Sequence, residues 1–388
     1  MRTKSTTAGY VARMQNVQNS VRASACRSYR SMVVAFEPEP GYCKGHDVVP
    51  NILHRVWVGR PCPHVYDLVS MLSAVLLLKP ETIRYHRTFQ WAKCIAGRGK
   101  EMALDSCYEG LGVQYNEINM TGSMEMEKDS SKFEQDTRDF ATRRAFSDWS
   151  HIKKLDIKGP PHLSDLIRLH ALHHEGGYYF DADSFLLSGK LSRFRRCPFV
   201  MSVGEFDQPR NRSKILTTSA EVLAETSMPH SAWSTFNNGA MMAAPHSHFG
   251  KEWWNYMRGW NGGGWAIASC GWPKEWEKQH PQGMQGTPAM RNFPFRKWNR
   301  NLTWAEHIER MVTNGADAIH LSNAKIRLNM LIIAGLVLER AVQTVGGDQA
   351  LTSAQAQCVN LARDWIRRSP GEHDDNIVDN DKKLGSTR

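Results

Sequence analysis

Apolar and polar positions fall into a few clear blocks along the chain. In NILHRVWVG, β-branched and aromatic residues crowd the run from Ile52 to Val58, which Gly59 closes, the composition of a strand. HVYDLVSMLSAVLLLKP follows with apolar residues at helical spacing and stops at Pro80. ETIRYHRT supplies the next strand, so strand–helix–strand opens a βαβ layer. The polar, methionine-rich stretch from Gly97 to Lys158 has little periodicity and reads as a connection with helices. The clearest helix is PPHLSDLIRLHALHHEGG. Ser164 is placed to cap it, Asp165 then suits its positive end, and Gly176-Gly177 stops it. YYFDADSFLL is a strand running into a turn, and NNGAMMAAP, from Asn237 to Pro245, is another strand.

The chain has 388 residues, 41% hydrophobic and 23% charged, which suits one large α/β domain with insertions rather than a disordered chain. The expected organisation is a basic flexible leader over 1–49 and the main domain over 50–335, with a tryptophan-rich part at 252–305. A helical segment over 336–368 and a disordered tail over 369–388 complete it. The leader carries Arg2, Lys4, Arg13, Arg22, Arg27 and Arg30 before its first acidic residue, Glu37, a composition shared by organelle transit peptides and by plain basic tails.

The formal charge of +10 is spread along the chain without a long Lys/Arg run, which suits an anionic substrate or equally a basic surface with no partner; no nucleic-acid partner is expected. The longest apolar run, Leu68 to Leu78, is too short to span a bilayer, so no transmembrane segment is expected. None of the eight cysteines forms a CxxC pair, and eight over this length is no disulfide framework. Mostly free, buried thiols and a reducing compartment are expected, with the cytoplasm as location; a Golgi or other membrane-associated compartment, or organelle import, is the alternative.

Two carboxylates interrupt an otherwise apolar strand at Asp181-Ala182-Asp183. The same D-x-D pattern recurs at Asp379-Asn380-Asp381 in the charged tail, so the pattern alone means little. Context separates the two. Strand residues two apart face one side, and a pair of buried carboxylates is costly through repulsion and desolvation. A divalent cation removes that cost, and hard oxygen ligands suit Mg²⁺ or Mn²⁺. Asp165 and Arg168, three apart, share a face of the preceding helix, which the Gly-Gly break folds back toward the pair. A plain surface ion pair is the competing reading of those two.

SDLIRLHALHHEGGYYFDADSFLL closely resembles the signature of the DxD-containing sugar transferases, a family that includes fungal α-1,6-mannosyltransferases and α-1,4-N-acetylglucosaminyltransferase, with the clostridial glucosylating toxins as more distant relatives. PNILHRVWVG is similar to the family's first strand. DLVSMLSAVLLLKPETIRYH is similar to the helix and strand that follow, and NNGAMMAAPHSHF to a later Asn-Gly strand.

The resemblance implies a GT-A type, Rossmann-like mixed sheet flanked by helices, a nucleotide-diphosphate sugar donor, Mn²⁺ (or Mg²⁺), and transfer of a hexose or N-acetylhexosamine with retention to a glycan, lipid or protein hydroxyl. It also implies roles. Trp57 would lie by the nucleobase, Asp165 and Arg168 would hold the donor sugar and phosphate, and Tyr179 would join the donor site. Asp181 would contact hydroxyls and help with the metal, Asp183 would ligate the metal, and Asn238 would approach the sugar or diphosphate. Gly286-Thr287-Pro288 is similar to a family Thr-Gly-Pro element with its order changed, and His320 falls where a late histidine often sits.

Other features read more plainly. Trp253, Trp254, Trp260, Trp265, Trp272 and Trp276 suit either an acceptor platform or the packing of an insertion, and packing is favoured. His173-His174-Glu175 lacks metal-site spacing and reads as a helix end. Asn119, Asn211 and Asn301 begin sequons that matter only in a secreted chain. A toxin-like protein glycosyltransferase or nucleotide-sugar hydrolase would use the same donor site. A non-catalytic binding module is disfavoured because Asp165, Arg168, Asp181 and Asp183 are all present.

Overall fold

The computed structural model describes residues 43, 48–58, 65–88, 99–118, 159–203, 236–260, 267–280, 283–292, 303–313, 315–321 and 327–368. The expected tail, its Asp379 and Asp381, the sequon asparagines Asn119, Asn211 and Asn301, and Trp265 lie outside them.

Among the described residues nine strands form one mixed sheet. They are β1 (Ile52–Trp57), β2 (Thr82–Thr88), β3 (Val113–Ile118), β4 (Gly177–Phe180), β5 (Ser184–Leu186), β6 (Phe199–Val203), β7 (Phe236–Ala243), β8 (Gln285–Asn292) and β9 (Ala318–His320), in the spatial order β3-β2-β1-β4-β7-β6-β8-β9-β5. β3, β2, β1 and β4 run parallel; β7 is antiparallel to both β4 and β6. The helices are α1 (Val65–Leu78), α2 (Gly99–Gly110), α3 (Pro160–His174), α4 (His248–Arg258), α5 (Trp272–Gln279), α6 (Trp304–Thr313), α7 (Arg327–Thr344) and α8 (Ser353–Arg368). A mixed sheet flanked by helices is what the resemblance implies.

Strand alternation divides the core in two. Tyr178 and Phe180 of β4 pack with Ala240 and Met242 of β7 against the α1, α7 and α8 side, while Tyr179, Met241 and Ala243 face the α3 and α4 side. On that second side Trp253, Trp254 and Trp276 are buried and Trp260 and Trp272 half-buried, so these five pack an aromatic core rather than offer a flat platform. The expected boundary at 335/336 falls inside α7, whose Ile333, Leu336 and Val337 share the first core with Leu68 and Leu72 of α1.

Four expectations are corrected. The stretch from Gly97 to Lys158 holds a strand, β3, as well as α2; its polar positions at Gln114 and Glu117 are exposed, because the strand lies at the sheet edge. Ser164 does not cap α3. Pro160 and Pro161 start the helix one turn earlier, with Gly159 as the residue before it, so Asp165 lies beyond the first turn. Among the described cysteines the thiols are not mostly free: Cys43 pairs with Cys197 and Cys107 with Cys358, joining α2 to α8, while Cys270 is free. The expected leader is tied down at its end. Besides the Cys43 disulfide, the Val49 N–H donates to the Arg195 carbonyl at 2.7 Å and Arg195 Nε donates to the Val49 carbonyl at 2.8 Å.

Gly176 and Gly177 explain how α3 returns to the sheet. Both have positive φ, 68° and 108°. A Cβ at Gly177 would stand 2.4 Å from the Ile52 carbonyl oxygen, and one at Gly176 would stand 2.8 Å from that of Ala243. Only glycine lets β4 enter between β1 and β7 here.

Candidate active site

The site forms where β4 ends. Asp181 and Asp183 bracket the turn to β5, and the Asp181 N–H donates to the Gly239 carbonyl of β7 at 2.7 Å. Arg55 of β1, buried on the far side, fixes the same turn: its Nη1 donates to Ser70 Oγ and to the carbonyls of Phe180 (2.9 Å) and Asp181 (3.2 Å). Its Nη2 meets Asp67 at 2.7 Å, and the hydroxyls of Tyr85 and Tyr108 complete that carboxylate at 2.7 and 2.9 Å. Ser70 Oγ donates to the Ser184 carbonyl, and Ser73 Oγ accepts from the Leu186 N–H at 3.1 Å. The Ser-x-x-Ser of α1 thus clamps β5.

Arg168 reaches the turn from α3. Its Nη1 lies 3.1 Å from Asp181 Oδ1 and donates to the Asn238 carbonyl at 3.0 Å; its Nε lies 3.4 Å from Asp165. Its guanidinium sits 4.5 Å from the Tyr179 ring centre, and the Tyr179 hydroxyl donates to Asp181 Oδ1. Ser164, freed from capping, accepts from Arg168 Nη2 at 2.8 Å. Asp165 is fully buried and accepts from Asn238 Nδ2 at 2.9 Å. The i,i+3 pair of α3 is therefore an inward, shared network and not a surface ion pair.

His320 closes the site from β9, whose register sets it opposite Ser184. Its Nε2 lies 3.1 Å from Asp183 Oδ1 and 3.6 Å from Asp181 Oδ2, and Asn237 Nδ2 lies 3.0 Å from its Nδ1. A Cβ on residue 239 would come within 2.9 Å of that ring, so Gly239 admits it. Burial alone would lower the His320 imidazole, but the Asp183 and Asp181 carboxylates outweigh burial and raise it. For Asp181 burial alone would raise the carboxyl; Arg168 leads His320 and the Tyr179 hydroxyl in holding it below its ordinary value.

One atom each of Asp181, Asp183 and His320 lies within 4.8 Å of the other two. Two carboxylates and an imidazole, with side chains 23% and 28% exposed at the aspartates, fit a divalent cation open on one side. Of the expected residues, the structure brings together Asp165, Arg168, Tyr179, Asp181, Asp183 and Asn238, and adds His320. Trp57 ends β1 and is 7% exposed within the α1-side core. Gly286 and Thr287 lie in β8 beside β6 and are buried. Sequence reasoning missed Arg55 and Cys270. Cys270, in a π-turn over Ile267–Gly271, is raised by burial and interacts with Asp165, Arg168 and Asn238. No local pattern marked either residue.

Residues 99–194 match the family model for the glycosyltransferase sugar-binding region containing the DXD motif. The match spans about a quarter of the chain, and the signature resemblance stands on Asp165 to Asp183; Trp57, Asn238 and His320 lie outside it. None of the curated proteins compared matches the chain. Among solved structures, the chain is similar to the PaToxG glycosyltransferase, at 14% identity and a TM-score of 0.33, over 92% of this chain and 96% of that one. It is similar to the galactosyltransferase LgtC in complex with donor and acceptor sugar analogues, at 14% identity and a TM-score of 0.33, over 73% of this chain and 95% of that one. For an active-site mutant of LgtC the identity is 13% and the TM-score 0.32, with the same coverage. Among the described residues no helix is long and apolar enough to cross a membrane.

Proposed function

We propose that the protein is a metal-dependent retaining glycosyltransferase that moves a hexose or N-acetylhexosamine from a nucleotide-diphosphate sugar to an acceptor hydroxyl. The observation that carries this reading is the meeting of Asp181, Asp183 and His320 at the end of β4 with Arg168 3.1 Å from Asp181. In this reading Asp183, Asp181 and His320 hold Mn²⁺ or Mg²⁺, which when bound supplies positive charge against the departing diphosphate. Arg168 adds a fixed positive charge at the same turn. Asp165 is too buried to reach a ligand and acts by holding Arg168 and Asn238 in place. Arg55 holds the backbone that presents both aspartates.

The acceptor oxygen bonds to the anomeric carbon as the carbon–oxygen bond to the diphosphate breaks, on the same face. The hydroxyl proton leaves with the phosphate oxygen. No carboxylate stands out as a nucleophile among the described residues, which supports front-face attack. The two disulfides favour an oxidising compartment over the cytoplasm expected from cysteine spacing alone.

The test is a donor screen. Purified protein is incubated with UDP-glucose, UDP-galactose, UDP-GlcNAc or GDP-mannose, with Mn²⁺ or with EDTA, and free nucleoside diphosphate is assayed. Metal-dependent release from one donor is expected. No release from any, together with no metal-dependent nucleotide binding, overturns the reading.

A further inference from the structure

A second set of metal-ligating side chains gathers at the other end of α3. His173 and His174 close the helix, and His246 comes to them from the turn between β7 and α4. One ring nitrogen of each lies within 4.8 Å of the other two. Ring centres are 4.8 Å apart for His173–His174, 5.2 Å for His173–His246 and 5.9 Å for His174–His246. Adjacent helical residues diverge, so the pair alone is no site. The third histidine, 72 positions beyond His174 (246 minus 174), makes it a set.

Two further observations point to a ligand. His246 has φ 58°, a left-handed conformation that a non-glycine residue adopts at a cost, and strain of this kind gathers where a side chain must be aimed. Its N–H donates to the His173 carbonyl at 2.6 Å, which pins the turn to the helix end. His173 Nδ1 is buried and has no hydrogen-bond partner among the described residues. A buried ring nitrogen without a partner is unusual unless something else fills its lone pair.

We propose that His173, His174 and His246 bind a first-row transition-metal ion, Zn²⁺ in preference to Mg²⁺ or Mn²⁺, that clips the end of α3 to the turn after β7. The donor set decides the preference. Three imidazoles without a carboxylate suit Zn²⁺, Cu²⁺ or Ni²⁺, whereas the two aspartates of the donor site suit harder cations. Zn–N bonds near 2.0–2.1 Å in a tetrahedron set ligand nitrogens about 3.4 Å apart, so the three nitrogens, now within 4.8 Å of one another, draw closer on binding. His174 and His246 are exposed, which gives the ion an entry path and leaves the fourth position to water. Glu175, next in the chain, is engaged by Arg84 at 3.1 Å and does not join the set. Lys251 acts on His173 and is the cation that opposes the ion. The consequence is mechanical: α3 carries Asp165 and Arg168 and β7 carries Asn238, so the clip joins the two elements that hold the donor-site network.

The experiment is metal titration of the full-length, EDTA-stripped protein, with Zn²⁺ by calorimetry and Co²⁺ by visible spectroscopy, so its outcome does not depend on transferase activity. An Asp183→Asn background removes the donor-site ion from the count. In that background one equivalent of Zn²⁺ is expected, with a tetrahedral Co²⁺ band and a Zn²⁺-dependent rise in melting temperature. His174→Gln is an exposed change and His246→Asn keeps a residue that tolerates the left-handed backbone. Each is expected to weaken binding roughly tenfold or more and to abolish the Co²⁺ band. If neither variant changes affinity and spectrum, or if the Asp183→Asn protein binds no Zn²⁺, the site does not exist.

Discussion

Asp67 and Asp181 both pair with a buried arginine, and they end differently. Asp67 is closed. One oxygen takes Arg55 and the other takes the Tyr85 and Tyr108 hydroxyls, and its side chain is 2% exposed. Asp181 gives one oxygen to Arg168 and Tyr179 and leaves the other toward His320 and solvent, with 23% of its side chain exposed. Asp183 is more open still. A carboxylate whose acceptor positions are filled from within serves the fold. One that keeps an unfilled oxygen beside a second carboxylate can take a cation. The two are joined through Arg55, which neutralises Asp67 and holds the Asp181 backbone, so the closed network is the footing of the open one.

The comparison breaks most sharply at Asp183. Asp183→Asn is expected to lower donor turnover by about 1000-fold or more, equal to about 4 kcal/mol in the barrier. Its melting temperature should stay near that of the parent, because losing the pair with His320 is offset by losing the repulsion from Asp181 at a partly exposed position. Retained turnover would show that the open carboxylates are structural. The opposite pattern is expected at Arg55. Arg55→Met leaves Asp67 buried without its partner and should cost about 3–5 kcal/mol in urea unfolding. A loss below about 1 kcal/mol would mean that the tyrosines alone satisfy Asp67.

A smaller effect sharpens the idea of a closed network. His54 and His86 are buried side by side, with His54 Nε2 2.8 Å from the Gly176 carbonyl and Asn116 Nδ2 3.2 Å from His86 Nδ1. Burial is the largest cause holding His54 down to about 4, and His86 is lowered in the same direction. The folded state thus prefers neutral rings while the unfolded chain protonates near its ordinary value of about 6.5. Their contribution is fully present above about pH 6.5 and is lost as pH falls from there toward 4, by about 3 kcal/mol for His54. Urea midpoints measured across that window should fall with pH in the parent and fall less in His54→Gln.

The part of this site that sequence made legible is the part held within one short stretch. Asp165, Arg168, Tyr179, Asp181 and Asp183 span a helix, a glycine break and a strand, so helical and strand periodicities already bring them near each other. Arg55 could not be read this way, since its meaning depends on Asp67, Tyr85 and Tyr108 arriving from three other elements. His320 had a place in the resemblance but no geometry until the antiparallel pairing of β5 and β9 set it across from Ser184. Ser164 misled because its type suits a cap, whereas the prolines before it decide where α3 begins. The cysteine pairings were hidden for the same reason as Arg55: spacing says nothing about contacts made across the fold.

The disulfides also impose an order in time. Cys197 lies 154 positions after Cys43, and Cys358 lies 251 positions after Cys107. On a ribosome adding about 5–20 residues per second, Cys107 therefore waits roughly 12–50 s for its partner to be made. Cys197 emerges well within that wait and is a competing thiol for Cys107 until Cys43 has taken it. Once Cys43 has taken Cys197, that thiol no longer competes for Cys107, and α8, the last of the described helices, is the one that locks α2 in place.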